Sequence, residues 1–123
     1  MQKEIRLLGI ADTPAIQQQG LQFVRTMEPN TGMLFRFDNN RVLNFWMLNT
    51  YVPLDIGFMA GGRLVRKERM IPLSRRTISS GSPCSMALET RAGDLSDVPI
   101  GARLELSPDG KIATLKDGED DRS

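Results

Sequence analysis

The residues best equipped for chemistry in this 123-residue chain lie close together. Phe45-Trp46-Met47-Leu48-Asn49-Thr50 is followed by Pro53-Leu54-Asp55-Ile56-Gly57-Phe58, and the stretch holds the only Trp and the only Tyr, Tyr51. Aromatic rings beside amide and hydroxyl groups and one acid can form a core, a ligand pocket, or a core with a pocket at its edge. Asp55, set between Leu54 and Ile56, must be paired, hydrogen-bonded or exposed. Arg25 is a candidate structural partner for it. Glu89 lies in a second apolar run. Facing Asp55 across a cleft, it would complete a carboxylate pair of the kind hydrolytic and carbohydrate-active enzymes use. Carboxyl groups about 5–9.5 Å apart in an open pocket would mark that chemistry. Burial of either acid in an ion pair would mark a binding module instead.

Other chemistries are excluded by composition. The chain has no histidine, which removes Ser-His-Asp and Cys-His sites and His-ligated zinc. A single cysteine, Cys84, allows neither an intramolecular disulfide nor a thiolate zinc cluster. With no His to activate it, Cys84 reads as a small buried apolar residue. Asp94-Leu95-Ser96-Asp97 has too few carboxylates for a calcium loop and reads as a turn closed by side-chain hydrogen bonds. No cofactor and no metal are expected.

Net charge is +1 over the whole chain, so the molecule has no strong electrostatic preference. Residues 63–76 carry six basic side chains against Glu68 alone. Without interleaved aromatic rings for base stacking, this reads as a charged edge that resists aggregation rather than a nucleic-acid surface. No apolar run is long enough for a membrane span, and Met1-Gln2-Lys3-Glu4-Ile5 has no apolar signal core. The expected form is soluble, and extracytoplasmic (periplasmic or secreted) if a leader has been removed.

The elements that must position these residues are mostly strands. Turn signals at Asp38-Asn39-Asn40, Ala60-Gly61-Gly62, Ser80-Gly81-Ser82-Pro83 and Ser107-Pro108-Asp109-Gly110 separate short apolar and β-branched runs, the pattern of an all-β sandwich or barrel. Eight strands are predicted, at residues 5–10, 33–37, 43–48, 54–59, 63–69, 85–90, 103–106 and 111–115. One short helix is expected over residues 14–19, capped by Thr13, opened by Pro14 and stopped by Gly20. The predicted fold is therefore all-β: a compact sandwich or distorted barrel over residues 1–115, followed by an acidic, disordered tail over residues 116–123. If the strands at 43–48 and 54–59 pair as a hairpin, Phe45 faces Phe58, Met47 faces Ile56, and Trp46 lies over Gly57.

In order and at compatible spacing, Ala11-Asp12-Thr13, Gly20-Leu21 with Arg25, Gly32-Met33-Leu34-Phe35, Phe45-Trp46-Met47 with Asn49-Thr50, Pro53-Leu54-Asp55 with Phe58, and Leu88-Glu89 with Ala92-Gly93 resemble domain-of-unknown-function family 192. The resemblance covers residues 5–106. It implies a compact β-rich domain found mostly in bacteria and archaea, often behind an export signal or lipoprotein-type leader. It implies no established activity, cofactor or substrate. Its polar and aromatic signature falls here on Arg25, Trp46, Asn49, Thr50, Asp55 and Glu89. This chain departs from the pattern at Gln22, where the family usually has Met, and at Leu48, where it usually has Lys.

The functional expectation is a non-enzymatic binding module. Its shallow cleft around Trp46, Asn49, Thr50 and Asp55, with Arg25, would hold a small polar ligand or a peptide segment. The alternatives are a His-independent enzyme using Asp55 and Glu89, and a structural or assembly domain with no ligand. Asn49 and Thr50 also fit a plainer role as turn residues that bond their own backbone.

Overall fold

The computed structural model describes residues 1–118. Of the tail expected at 116–123, Lys116 instead ends the last strand and Asp117 accepts from the Met1 ammonium at 2.8 Å, while residues 119–123 lie outside the described ones. Seven strands and one helix follow in the order β1 (Gln2–Ala11), α1 (Pro14–Gln19), β2 (Thr31–Phe45), β3 (Leu54–Ala60), β4 (Arg63–Met70), β5 (Ile78–Arg91), β6 (Arg103–Leu106) and β7 (Ile112–Lys116). They close into a barrel in the order β1-β2-β5-β3-β4-β6-β7. Closure leaves no long unpaired sheet edge. β1 runs parallel to β2, and the remaining pairs are antiparallel.

The all-β reading holds, with seven strands instead of eight because the segment at 33–37 continues through residue 45 as one strand, β2, while Trp46, Met47 and Leu48 of the predicted 43–48 strand lie beyond its end. The helix forms as its sequence predicts. Thr13 is extended, its hydroxyl accepts the Ile16 N–H at 3.4 Å, and Pro14 occupies the first turn. Gly20, at φ 52°, ends it. The Pro108-Asp109-Gly110 turn joins β6 to β7, with Gly110 at positive φ.

The predicted hairpin between residues 43–48 and 54–59 does not form. β2 and β3 each pair with β5, which lies between them. The segment after β2 crosses over β5 rather than turning back beside β2. Gly57 is consequently not a platform for Trp46. A methyl group there would stand 2.9 Å from Leu64 and 3.2 Å from Leu95, so the missing side chain makes room for packing inside the barrel.

Two apolar cores lie on opposite faces of the β2–β5–β3 sheet, as strand alternation requires. The paired residues Leu34 and Leu88 point into the barrel with Ile5, Met59, Leu64, Leu95, Val98, Ala113 and Leu115. The paired residues Phe35 and Ala87 point outward with Leu54, Ile56 and Phe58. That outer face is covered by Leu21, Met47 and Val52 from the connecting segments, with Met70 at the end of β4 and Ile78 at the start of β5. Cys84 is buried in the same outer core as a free thiol.

The outer core depends on a sharp bend in β2. Between Arg36, opposite Met86, and Arg41, opposite Cys84, four residues on β2 face one on β5. Such a bulge bends and twists a strand. Ten residues of straight strand would separate Phe35 from Phe45 by about 33 Å. The bend instead brings their rings to 5.0 Å, edge to face. Phe45 also lies 6.0 Å from Phe58. The expected Phe45–Phe58 contact therefore exists, but across the folded-over strand and not across a hairpin.

Candidate functional site

The folded-over end of β2 does not fully close on the helix. A cavity of about 410 Å³ remains between α1 with the turn after it, the bent half of β2, and the segment following β2. Its apolar lining includes Phe35, Phe37, Phe45 and Trp46, and its polar lining includes Gln18, Gln19, Asn44 and Thr50. Glu89 also lines it. Trp46 follows β2 directly and stays 51% exposed.

Glu89 is the anomalous group. On β5 it stands opposite Met33 of β2 and Ile56 of β3, with only 4% of its surface exposed. Among the described residues no hydrogen bond or ion pair reaches its carboxyl. Burial alone acts on it and pushes its pKa up to about 8. The acid is therefore mostly neutral at pH 7, with an O–H to donate and no acceptor among the described residues. Its oxygens are not sealed in the interior: they open on the cavity, where water can solvate them. Groups of this kind concentrate at sites that bind or react.

Asp55 lies on the next strand, but on the other face of the sheet. It is 5% exposed and fully engaged. Oδ1 accepts from Arg69 Nε at 2.7 Å, and Oδ2 accepts from the backbone N–H groups of Gly93 at 2.9 Å and Leu95 at 3.0 Å. Its partner is Arg69, not Arg25. The carboxylate pins the segment after β5, whose Leu95 and Val98 enter the barrel interior. Lys67 holds the same segment from outside, donating to the carbonyls of Leu95, Ser96 and Val98 at 2.9, 3.1 and 2.7 Å. Asp55 lines a separate cavity of about 190 Å³ with Lys67, Glu68, Arg69, Leu95 and Ser96. The expected carboxylate pair facing across one cleft is absent, because Asp55 and Glu89 open on different cavities.

Asn49 and Thr50 act through the backbone. Asn49 takes φ 53°, which its short amide tolerates, and its carbonyl accepts the Phe23 N–H at 2.8 Å. The Thr50 carbonyl accepts the Leu73 N–H at 3.0 Å, and the Thr50 hydroxyl bonds the Leu48 carbonyl at 3.1 Å. Phe23 and Leu73 are themselves held at φ 69° and 61°. This turn ties together three connecting segments and fixes the cavity wall. Thr50 and Trp46 reach the cavity; Asn49 touches it only through Gln22, whose Oε1 accepts from Asn49 Nδ2 at 3.4 Å. Arg25 lies outside it, with its guanidinium 4.4 Å from the Tyr51 ring centroid.

The basic segment is likewise engaged. Arg66 and Arg76 both reach Glu68, and Arg69 reaches Asp55. In the 94–97 turn, Asp94 accepts from the Asn30 N–H at 2.6 Å and Asp97 from Lys3 at 2.9 Å. No group of three or more His, Cys, Asp or Glu side chains is arranged to hold a metal among the described residues. None of their helices is long and apolar enough to cross a membrane.

A model of the family described as DUF192, uncharacterised ACR, matches residues 2–106. The chain belongs to domain-of-unknown-function family 192. Two solved structures are similar to this family member. One, from Sinorhizobium meliloti 1021 and described as a candidate transcription regulator, is 35% identical with a TM-score of 0.76 over 85% of this chain and 93% of its own. The other, a protein of unknown function from Novosphingobium aromaticivorans DSM 12444, is 29% identical with a TM-score of 0.68 over 71% of this chain and 64% of its own. No curated protein matches the chain.

Both departures from the family pattern, Gln22 and Leu48, line the cavity. Sequence reasoning named Trp46, Thr50 and Glu89 but missed Gln19, Arg41 and Asn44. The bulge that gathers them falls on Asp38-Asn39-Asn40, which reads locally as a turn.

Proposed function

We propose that this protein is a binding module that takes a small polar ligand, or a polar side chain of a peptide, in the cavity between α1 and the folded-over end of β2. Glu89 carries this reading. A carboxyl group that opens on the cavity from a largely apolar wall, with no partner among the described residues, is free to bond a ligand's polar atom. Trp46 supplies a half-exposed aromatic wall, and Thr50 fixes the turn that holds it. The amides of Gln19 and Asn44 offer donors and acceptors near the mouth. A cavity of about 410 Å³ suits a small molecule. In this reading Asp55 and Arg25 are structural.

The description of the Sinorhizobium relative raises nucleic acid as another partner. The engagement of Arg66, Arg69 and Arg76 with Glu68 and Asp55 supports the small-ligand reading over it.

The test is thermal-shift screening of metabolites, sugars, amino acids and short peptides against wild type and Trp46→Ala. Ligands of the cavity should raise the melting temperature of wild type and lose most of that effect in the variant. Hits that stabilise both proteins equally, or stabilisation by duplex DNA alone, would overturn the proposal.

A further inference from the structure

Three features of the cavity narrow the chemistry of its ligand. The lining holds one acid, Glu89, with no partner among the described residues. The walls include Phe35, Phe45 and Trp46. The helix side contributes only uncharged side chains, from Gln17 to Gln22. An acid that shares a cavity with aromatic rings and has no ion-pair partner among the described residues complements a positive charge carried on an apolar body.

Charged groups near Glu89 are few. Met33 and Ile56 flank it from β2 and β3. On β5, Arg91 shares its face two residues on, but is exposed. Arg41 lines the cavity with its guanidinium 4.7 Å from the Phe37 ring centroid. Its partner on β5 is Cys84, five positions from Glu89, which is about 16 Å along a strand. Neither arginine is paired with Glu89.

We propose that the ligand of this cavity presents an organic cation, a protonated amine or an alkylated ammonium, to the Glu89 carboxyl, with its apolar part against Phe35, Phe45 and Trp46. The inference rests on the cavity being a binding site. On binding, the Glu89 O–H bond breaks, its proton passes to solvent, and the carboxylate pairs with the cation. Affinity therefore rises with pH, by about tenfold per unit, until the acid of the free protein is ionised near pH 8. Arg41, at the far end of the cavity, would meet any anionic group the ligand carries.

Trp46 is the only Trp, so its fluorescence reports on the site without a label. The probes are phenethylamine, tetramethylammonium and the neutral isostere 2-phenylethanol, titrated into wild type and Glu89→Gln from pH 6 to 8.5. The two cations should bind wild type, at least tenfold more tightly at pH 8 than at pH 6, and at least tenfold more weakly to the variant. Calorimetry of wild type in buffers of different ionisation enthalpy should show close to one proton released per phenethylamine bound at pH 6.5. This second readout holds even if the variant folds poorly. Equal binding of 2-phenylethanol, undiminished amine binding by Glu89→Gln, or no proton release would overturn the cation assignment and leave the binding module standing. Silence of Trp46 to every probe at tens of millimolar, together with failure of the broader ligand screen, would overturn both.

Discussion

Asp55 and Glu89 stand on adjacent strands within one residue of being cross-strand partners, yet they point to opposite faces of the same sheet. Asp55 is opposite Thr90, and Glu89 is opposite Ile56. Because side chains alternate along a strand, that offset of one sends one acid to the barrel interior and the other to the outer cavity. The first is satisfied by three donors and the second by none among the described residues. The two family-signature acids therefore have different jobs, and each can be tested alone.

The neutral Glu89 makes stability depend on pH in a direction opposite to that of acids ionised in ion pairs or hydrogen bonds. Its pKa is raised from 4.5 to about 8, so the native state holds a proton that the unfolded chain has released. Stability from this group is intact below about pH 4.5, falls as pH rises, and levels off above about 8. The melting temperature of wild type should therefore drop between pH 5 and pH 8 relative to Glu89→Gln, and the variant should be the more stable of the two at pH 8. Scanning calorimetry of both proteins at half-unit pH intervals measures it. Parallel curves would mean that Glu89 is ionised or paired in solution.

Asp55→Ala should destabilise strongly without touching the cavity that Glu89 lines. It leaves the N–H groups of Gly93 and Leu95 without their acceptor and frees the half-exposed Arg69. Allowing for solvent around Arg69, the loss is about 3 kcal/mol, mostly from the two orphaned donors. Urea denaturation gives the loss, and hydrogen exchange should localise the opening to the amides of residues 93–98. Fast exchange in α1 or residues 46–50 instead would place Asp55 in the cavity wall.

Gly32 is needed because β2 and β5 approach too closely there for any side chain. A methyl group at that position would lie 2.2 Å from the Glu89 carbonyl oxygen, a backbone atom that cannot swing aside. Gly32→Ala should therefore cost about 2 kcal/mol or more through strain and a displaced ladder. Thermal denaturation checks the loss, and a shift in the pH profile described above would show that Glu89 has moved with its backbone. Ala at Gly61, where a methyl group meets nothing, serves as the control for a glycine whose constraint is φ alone.

What the sequence revealed and what it hid follow from the range of the interactions. The helix was legible because Thr13, Pro14 and Gly20 act on their own turn. The β6–β7 hairpin was legible because Pro108-Asp109-Gly110 sets its own dihedrals. The order of strands was not, since nothing local says that β5 inserts between β2 and β3. A short polar connection after an aromatic run resembles a hairpin whether or not the strands pair. Trp46 and Glu89 were named by type and by family pattern. Their meeting depends on Phe35 touching Phe45 across a bulge, a contact between residues ten apart that no strand periodicity predicts.

Leu48 offers a direct way to write a different charge into the cavity it lines. A lysine there would place a flexible cation on the wall, with a stem long enough to reach inward while its carbons cover apolar surface. The ammonium would then serve as the partner that Glu89 lacks, and an opposite charge close to a carboxyl favours its ionised form. For Leu48→Lys the expected outcome has two parts. The decline in melting temperature between pH 5 and pH 8 should flatten, since the native state no longer retains the extra proton. Phenethylamine should bind at least tenfold more weakly, because a built-in cation occupies its place. The double variant Leu48→Lys with Glu89→Gln separates this from simple crowding: removing the acid should cost stability in the lysine background at neutral pH, whereas it adds stability in the wild-type background. A variant that keeps the wild-type pH profile would show that position 48 and the acid do not meet across the cavity.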